Sequence, residues 1–193
     1  MKKLVLVIVF SVLILFGASI GLKGVAEAKA QEEHLWLMQT ILPDSESFTV
    51  EEYTGEDANI RSVHKAENGY VIETVTYGYA DEITMLIGVN NDGNVTGLVV
   101  REAHETFGLG NEILTDHEFL AQFMNGTGEF AVATAGADAF SSATGTTESE
   151  SASDVDGITG ATVSSKAVVR CVNSAIAYVN GADVSSSATT WGG

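Results

Sequence analysis

The chain has 193 residues, 45% of them hydrophobic, and carries 26 Asp and Glu against 9 Lys and Arg for a formal net charge of −17, which leaves room for one domain plus an anchor. Past residue 30 only Arg61, Lys65, Arg101, Lys166 and Arg170 oppose the acids, so the surface excludes nucleic acid as a partner and disfavours close contact with anionic lipid. Cys171 is the lone cysteine and the four histidines (His34, His64, His104, His117) are scattered, a composition without an internal disulfide or zinc-like spacing.

Lys2 and Lys3 precede an unbroken apolar run from Leu4 to Leu22. As a helix that run spans roughly 28 Å, about the hydrocarbon thickness of a bilayer. A secretory signal has a shorter core of about 7–15 residues, so length favours a retained, single N-terminal transmembrane helix. Ala28-Lys29-Ala30 ahead of Gln31 nevertheless forms an acceptable small-x-small cleavage site, and both readings stay open. Either one places the remainder outside the cytoplasm, and the slight excess of positive charge at the N-terminus agrees. Residues 1–30 are thus anchor or signal peptide, and 31–59 a stalk or first helix with its connection.

From Gln31 to Leu42, Leu35, Met38 and Leu42 form a helical stripe that Pro43 ends. Phe48 to Tyr53 reads as a strand. Gly69 to Tyr79 and Ile83 to Val89 are rich in β-formers; Asn90-Asn91-Asp92-Gly93-Asn94 is a hairpin turn, and Val95 to Val100 returns as its partner. The predicted fold is α+β, an antiparallel β-meander packed with helices. Arg101 to Gly110 follows, with Gly108 and Gly110 making a loop whose backbone could line a ligand. Thr115 to Phe123 is predicted as a helix with Thr115 as cap and Glu118 completing a capping box. Residues 135–153 read as a low-complexity surface loop and 182–193 as a flexible tail.

The best amphipathic helix runs from Val163 to Asn180. Val168, Val172, Ala175, Ile176 and Val179 share one face, while Lys166, Arg170 and Asn173 share another. Asp156-Gly157-Ile158-Thr159-Gly160-Ala161-Thr162 leads into it. Taken alone, Thr162 is an expected N-cap and the glycines a turn. The same N-terminus, with glycines that let backbone come close, is also a ready anion site, with Lys166 one turn in. Cys171, inside the helix near its apolar face, reads as a buried structural thiol.

Asp-x-x-Thr-Gly-Ala-Thr ahead of a hydroxyl-rich turn resembles the flavinylation motif of the FMN-binding domain family. That family includes the G subunits of Rnf electron-transport complexes, which the chain resembles most, and the C subunits of sodium-pumping NADH:quinone reductases. A second stretch supports the likeness: Glu105, Thr106, Gly108, Leu109 and Gly110 match a family loop, with departures at Phe107, where Pro or Ala is usual, and at Ala103, where the family His is displaced to His104. Phe119-Leu120-Ala121-Gln122-Phe123 is also similar to a family segment. The resemblance covers roughly residues 60–181.

It implies FMN joined to Thr162 through a phosphoester made by a separate flavin transferase. Thr159, Gly160, Ala161, Ser164, Ser165 and Lys166 would surround the phosphate, and the loop Glu105, Thr106, Gly108, Leu109, Gly110 would wall the ring. It further implies a membrane-anchored, extracytoplasmic electron-carrier subunit, working with other membrane subunits of an ion-translocating ferredoxin:NAD oxidoreductase. A standalone extracellular flavoprotein keeps the domain without the complex. A non-redox anchored protein, whose motif is only a helix start, is the reading from a different class. No nucleophile–base pair or metal cluster supports catalysis by the chain on its own.

Overall fold

The computed structural model describes residues 29–103, 116–133 and 152–181. The chain falls into two compact units, Met1–Leu37 and Met38–Gly193. In the first, residues 29–37 are helical, and Lys29 pairs with Glu33 across one exposed turn at 3.8 Å. The Leu4–Leu22 run lies outside the described residues, as does the tail from 182. Among the described residues no helix is long and apolar enough to cross a membrane.

The second unit is built on five strands in the order β1-β2-β3-β4-β5: β1 (Thr49–Glu51), β2 (Ile60–Lys65), β3 (Gly69–Tyr77), β4 (Glu82–Asn90) and β5 (Val95–Ala103). Every neighbouring pair is antiparallel, so chain order equals spatial order and the sheet is the expected meander. Register follows the apolar pattern. Val71 pairs with Gly88 and Ile72 with Ile87, and the apolar run of β4 is buried from Ile83 to Val89. A strand buried on both faces needs cover on both.

One cover is the helix α2 (Thr162–Val179), which packs on β2, β3 and β4. Ala167, Val168, Cys171, Val172 and Ala175 are fully buried there, in one cluster with Ile72, Ile83, Met85 and Ile87. The opposite face receives residues 38–42. Ile41 lies against the Gly88↔Gly97 pair, and its carbonyl accepts from Thr96 Oγ1 at 2.8 Å. Met38 and Leu42 of the expected stripe are buried, and so is Ile41, whereas Leu35 is exposed.

Three elements depart from the sequence expectations. β2 is a strand that the pattern Ile-Arg-Ser-Val-His-Lys does not announce, because alternation is short and its edges are charged. The second is a pair of short strands, β6 (Phe130–Ala133) and β7 (Ser153–Asp156), which associate in parallel away from the main sheet. β7 places Ser153 in a strand, at the end of the stretch read as a loop; the rest of that stretch, apart from residue 152, lies outside the described residues. The third is a helix, α1 (His117–Ala121), capped by Asp116 and not by Thr115. The Asp116 carboxylate accepts from both Glu118 N at 2.9 Å and Phe119 N at 3.1 Å, satisfying two of the open N–H groups at once.

Candidate functional site

The stretch 156–166 is held from two directions. Upstream, Asp156 ends β7 and pairs with Ala133 of β6. Its outward-facing N–H donates to Gln122 Oε1 at 2.8 Å, and its carbonyl accepts from Gln122 Nε2 at 3.3 Å. Gln122 follows α1, where Phe119 and Phe123 are buried and stack edge-on, with ring centroids 5.5 Å apart. Phe123 in turn meets Phe130 at 5.1 Å. On the far side of the ribbon, Asn173 of α2 both accepts from Phe130 N and donates to its carbonyl, at 2.9 Å each. Two side-chain amides therefore finish the edges of a two-stranded ribbon that would otherwise present open backbone.

Downstream, Ala161 N donates to Ile158 O at 3.0 Å, closing a turn with Thr159 and Gly160 at its centre. Gly160 has φ +84°, the value that the third position of a type II turn requires and that side chains resist. Gly157 is set by space: a Cβ there would stand 2.6 Å from Val132 Cγ1. Ser165 then ties the turn to the helix. Its hydroxyl accepts from Ile158 N at 3.2 Å and donates to Ala161 O at 3.1 Å. Ser165 is fully buried and both bonds are internal, so it acts on the shape of the turn.

Thr162 is the first helical residue and is exposed. The expectation that it caps the helix is corrected: Ala161 occupies the cap position at φ −129°, and among the described residues no side chain makes a cap hydrogen bond. The reason lies in the turn. Thr162 already has helical backbone and so lies one residue past the position from which a side chain caps a helix. No acidic residue occupies the first turn, although the protein is strongly acidic. The positive end of the helix dipole is thus left uncompensated. Ser164, two residues further, is 1% exposed and its Oγ has no hydrogen-bond partner among the described residues. A buried hydroxyl left so costs about 1–3 kcal/mol.

Thr159, Gly160 and Lys166 are exposed, and Ala161 is 6% exposed, tucked under the turn. Thr159, Gly160, Ala161, Thr162, Ser164, Ser165 and Lys166 therefore form one contiguous corner. Glu105, Thr106, Gly108, Leu109 and Gly110 lie outside the described residues, as do His104 and Phe107. β5 is described as far as Ala103, which pairs with Ile83 beside the β3–β4 hairpin. Arg170 of α2 clasps that hairpin through Tyr77 O at 2.9 Å and Thr76 Oγ1 at 3.3 Å. Tyr178, two turns later, instead meets Tyr70 at the opposite end of β3. The N-terminus of α2 thus points toward the sheet end from which the Glu105–Gly110 stretch departs.

An exposed Tyr77 beside Glu82 has its phenol held above its ordinary range by the hydrogen bond it donates to that carboxylate and by the carboxylate's charge. A cavity of about 310 Å³ lies elsewhere, at the C-terminal end of α2, lined by Glu51, Tyr53, Asp57 and Tyr178 among others. The helix rise puts it about 24 Å from Thr162, so it is not part of this corner. Among the described residues no group of three or more His, Cys, Asp or Glu is placed to hold a metal.

Sequence reasoning missed Gln122 and Asn173. The usable signal was a polar residue wedged between aromatic neighbours in Phe119–Phe123. Its partner, 34 residues away, is beyond any local pattern.

The uncapped helix N-terminus, the unpartnered Ser164 hydroxyl and the exposed threonine fit a phosphate-bearing group. Comparison with known proteins gives a family. Residues 78–177 match the FMN-binding domain family. The chain is 33% identical over 166 residues to the G subunit of the ion-translocating oxidoreductase complex of Methanosarcina acetivorans, covering 80% of this chain and 77% of that one. It is 36% identical over 109 residues to the G subunit of the Na(+)-translocating ferredoxin:NAD(+) oxidoreductase complex of Acetobacterium woodii, covering 56% and 47%. Among solved structures, the C subunit of the Na(+)-translocating NADH-quinone reductase from Parabacteroides distasonis has 22% identity and a TM-score of 0.46, over 65% of this chain and 63% of that one.

Proposed function

The chain belongs to the FMN-binding domain family, and from that premise we propose that it is an electron-carrier subunit holding FMN covalently on Thr162. The observation that carries this reading is the corner at the start of α2: an exposed threonine at a helix N-terminus that has no side-chain cap, followed by a buried serine hydroxyl with no hydrogen-bond partner among the described residues. Thr162 Oγ1 forms the new O–P bond. Condensation with free FMN would have to expel water into water, so the donor is an activated one, a flavin dinucleotide. Its pyrophosphate P–O–P bond breaks and AMP leaves, while the threonine proton passes to a base of a separate flavin transferase. Once attached, FMN supplies a ring that takes up and releases electrons.

This chain's residues then do the holding. The helix N-terminus and the hydroxyl of Ser164 stabilise the phosphate's charge, and Lys166 adds a cation one turn in. Thr159, Gly160 and Ala161 shape the approach to it, and Ser165 keeps them in place. The resemblance gives the Glu105–Gly110 stretch to the ring, and β5, described as far as Ala103, runs toward this end of the sheet.

The relatives named as G subunits belong to ion-translocating oxidoreductase complexes. We extend that setting to this chain: an FMN-binding domain over residues 60–181, anchored through Leu4–Leu22, facing away from the cytoplasm, and relaying electrons between the other members of an Rnf-type ferredoxin:NAD oxidoreductase. Covalent attachment suits that location, since a dissociated flavin would be lost by dilution. The test is Thr162→Ala, co-expressed with a flavin transferase and run on a denaturing gel. Wild type is expected to fluoresce and the variant to be folded and dark. A fluorescent variant, or a dark wild type, refutes the assignment.

A further inference from the structure

We propose that Gln122 is a positioning residue for loading of Thr162, acting through Asp156; this rests on the flavin-attachment reading above. In a strand, the N–H and C=O of one residue point to the same side. At Asp156 both point away from β6, and both are taken by the single side-chain amide of Gln122. Gln122 thereby stands in for one residue of a third strand, at the position where the ribbon ends and the motif begins. Among the described residues, the turn is tied upstream where Asp156 pairs with Ala133 and bonds Gln122, and downstream where Ser165 of the helix bonds Ile158 and Ala161.

The anchor behind Gln122 is rigid. It follows a helix capped by Asp116 and flanked by buried Phe119 and Phe123, the latter packed on Phe130 of β6. Gln122 itself is exposed, so its bonds add little to global stability. Their effect is local. With the amide removed, the entry to the turn is free to swing while α2 stays in place. A transferase that must read the turn and reach Thr162 Oγ1 together then meets the right arrangement less often. Misplacement by about 1 Å is enough to cost large factors in rate.

The experiment measures initial rates of covalent FMN incorporation into the full chain, with purified transferase and flavin dinucleotide, for wild type, Gln122→Ala and Gln122→Glu. Gln122→Ala is expected to load roughly tenfold slower at saturating dinucleotide, with an unchanged KM for the dinucleotide. Gln122→Glu keeps an acceptor for Asp156 N and is expected to recover most of the rate. Amide hydrogen exchange over 157–161 in unloaded protein should be faster in Gln122→Ala while exchange in β3 and β4 is unchanged. Wild-type loading by Gln122→Ala, or a Gln122→Glu variant as slow as Gln122→Ala, overturns the proposal and leaves the attachment reading intact. A wild type that never loads overturns the attachment reading, and this proposal with it. Should Gln122→Ala not fold, Gln122→Glu decides: faster exchange over 157–161 with undiminished loading, or slow loading with unchanged exchange there, overturns the proposal.

Discussion

The two ends of α2 are built on opposite plans. At the C-terminal end Tyr178 sits edge-on to Tyr53 at 5.9 Å and to Tyr70 at 5.7 Å, and the last carbonyls are closed by the Asn180 and Gly181 N–H groups. At the N-terminal end Thr162 and Val163 are exposed, and among the described residues no side chain caps the first turn and a buried serine hydroxyl has no partner. One end commits its side chains to packing. The other is left electrostatically open, in a protein with many acids that could close it. The difference separates what holds this domain together from what it presents.

Substitutions at the packed end should therefore be destabilising and functionally mute. Ile176→Ala removes a side chain that is 2% exposed and is expected to cost about 2–5 kcal/mol by thermal or denaturant unfolding. Whatever fraction remains folded should still accept flavin. A selective loss of loading at full stability would break the comparison.

Mid-helix, Cys171 sharpens it. Burial pushes its thiol up from 9.0 to about 11, against the smaller opposing pulls of the neighbouring Thr74 hydroxyl and the Arg170 charge. The folded state then keeps a proton that the unfolded state releases. This contribution to stability is full below pH 9 and is lost as pH rises toward 11. Denaturant midpoints should fall across that window in wild type and fall less in Cys171→Ala. The thiol should also resist alkylation near neutral pH until the protein unfolds.

The smallest expected effect is at the open end. Because Thr162 makes no cap bond, Thr162→Val should change unfolding free energy by no more than about 0.5 kcal/mol. A loss of about 1 kcal/mol, typical of a removed N-cap, would mean that the hydroxyl is structural after all.

How much of this was legible in the sequence varies by element. The β3–β4–β5 meander was readable because its signals are local: β-branched runs separated by Asn-Asn-Asp-Gly-Asn, which forms the turn with Gly93 at φ +81°. The helix over Thr162–Val179 was readable from its apolar face. Its first turn was not. Thr before a helix predicts a cap, and only the φ +84° turn at Gly160 and the bonds of Ser165 show Ala161 taking that place. β6 and β7 were hidden for a different reason. Each is four residues long, too short for periodicity, and each is completed by an amide, Asn173 or Gln122, from a distant element. Long-range pairing of that kind leaves no mark on the local pattern. The motif around Thr162 was recognisable by likeness, and its geometry explains why glycines stand at 157 and 160.

The central claim is that the open end of α2 carries a flavin on one particular oxygen. Peptide mass spectrometry of the wild-type chain, matured with a flavin transferase and cleaved under denaturing conditions, tests it directly. Fragmentation of the peptide spanning 156–166 is predicted to place one FMN phosphoester on Thr162, with Thr159, Ser164 and Ser165 unmodified. Flavin mass on any of those three neighbours, or a fully matured chain whose peptide carries none, would contradict the account.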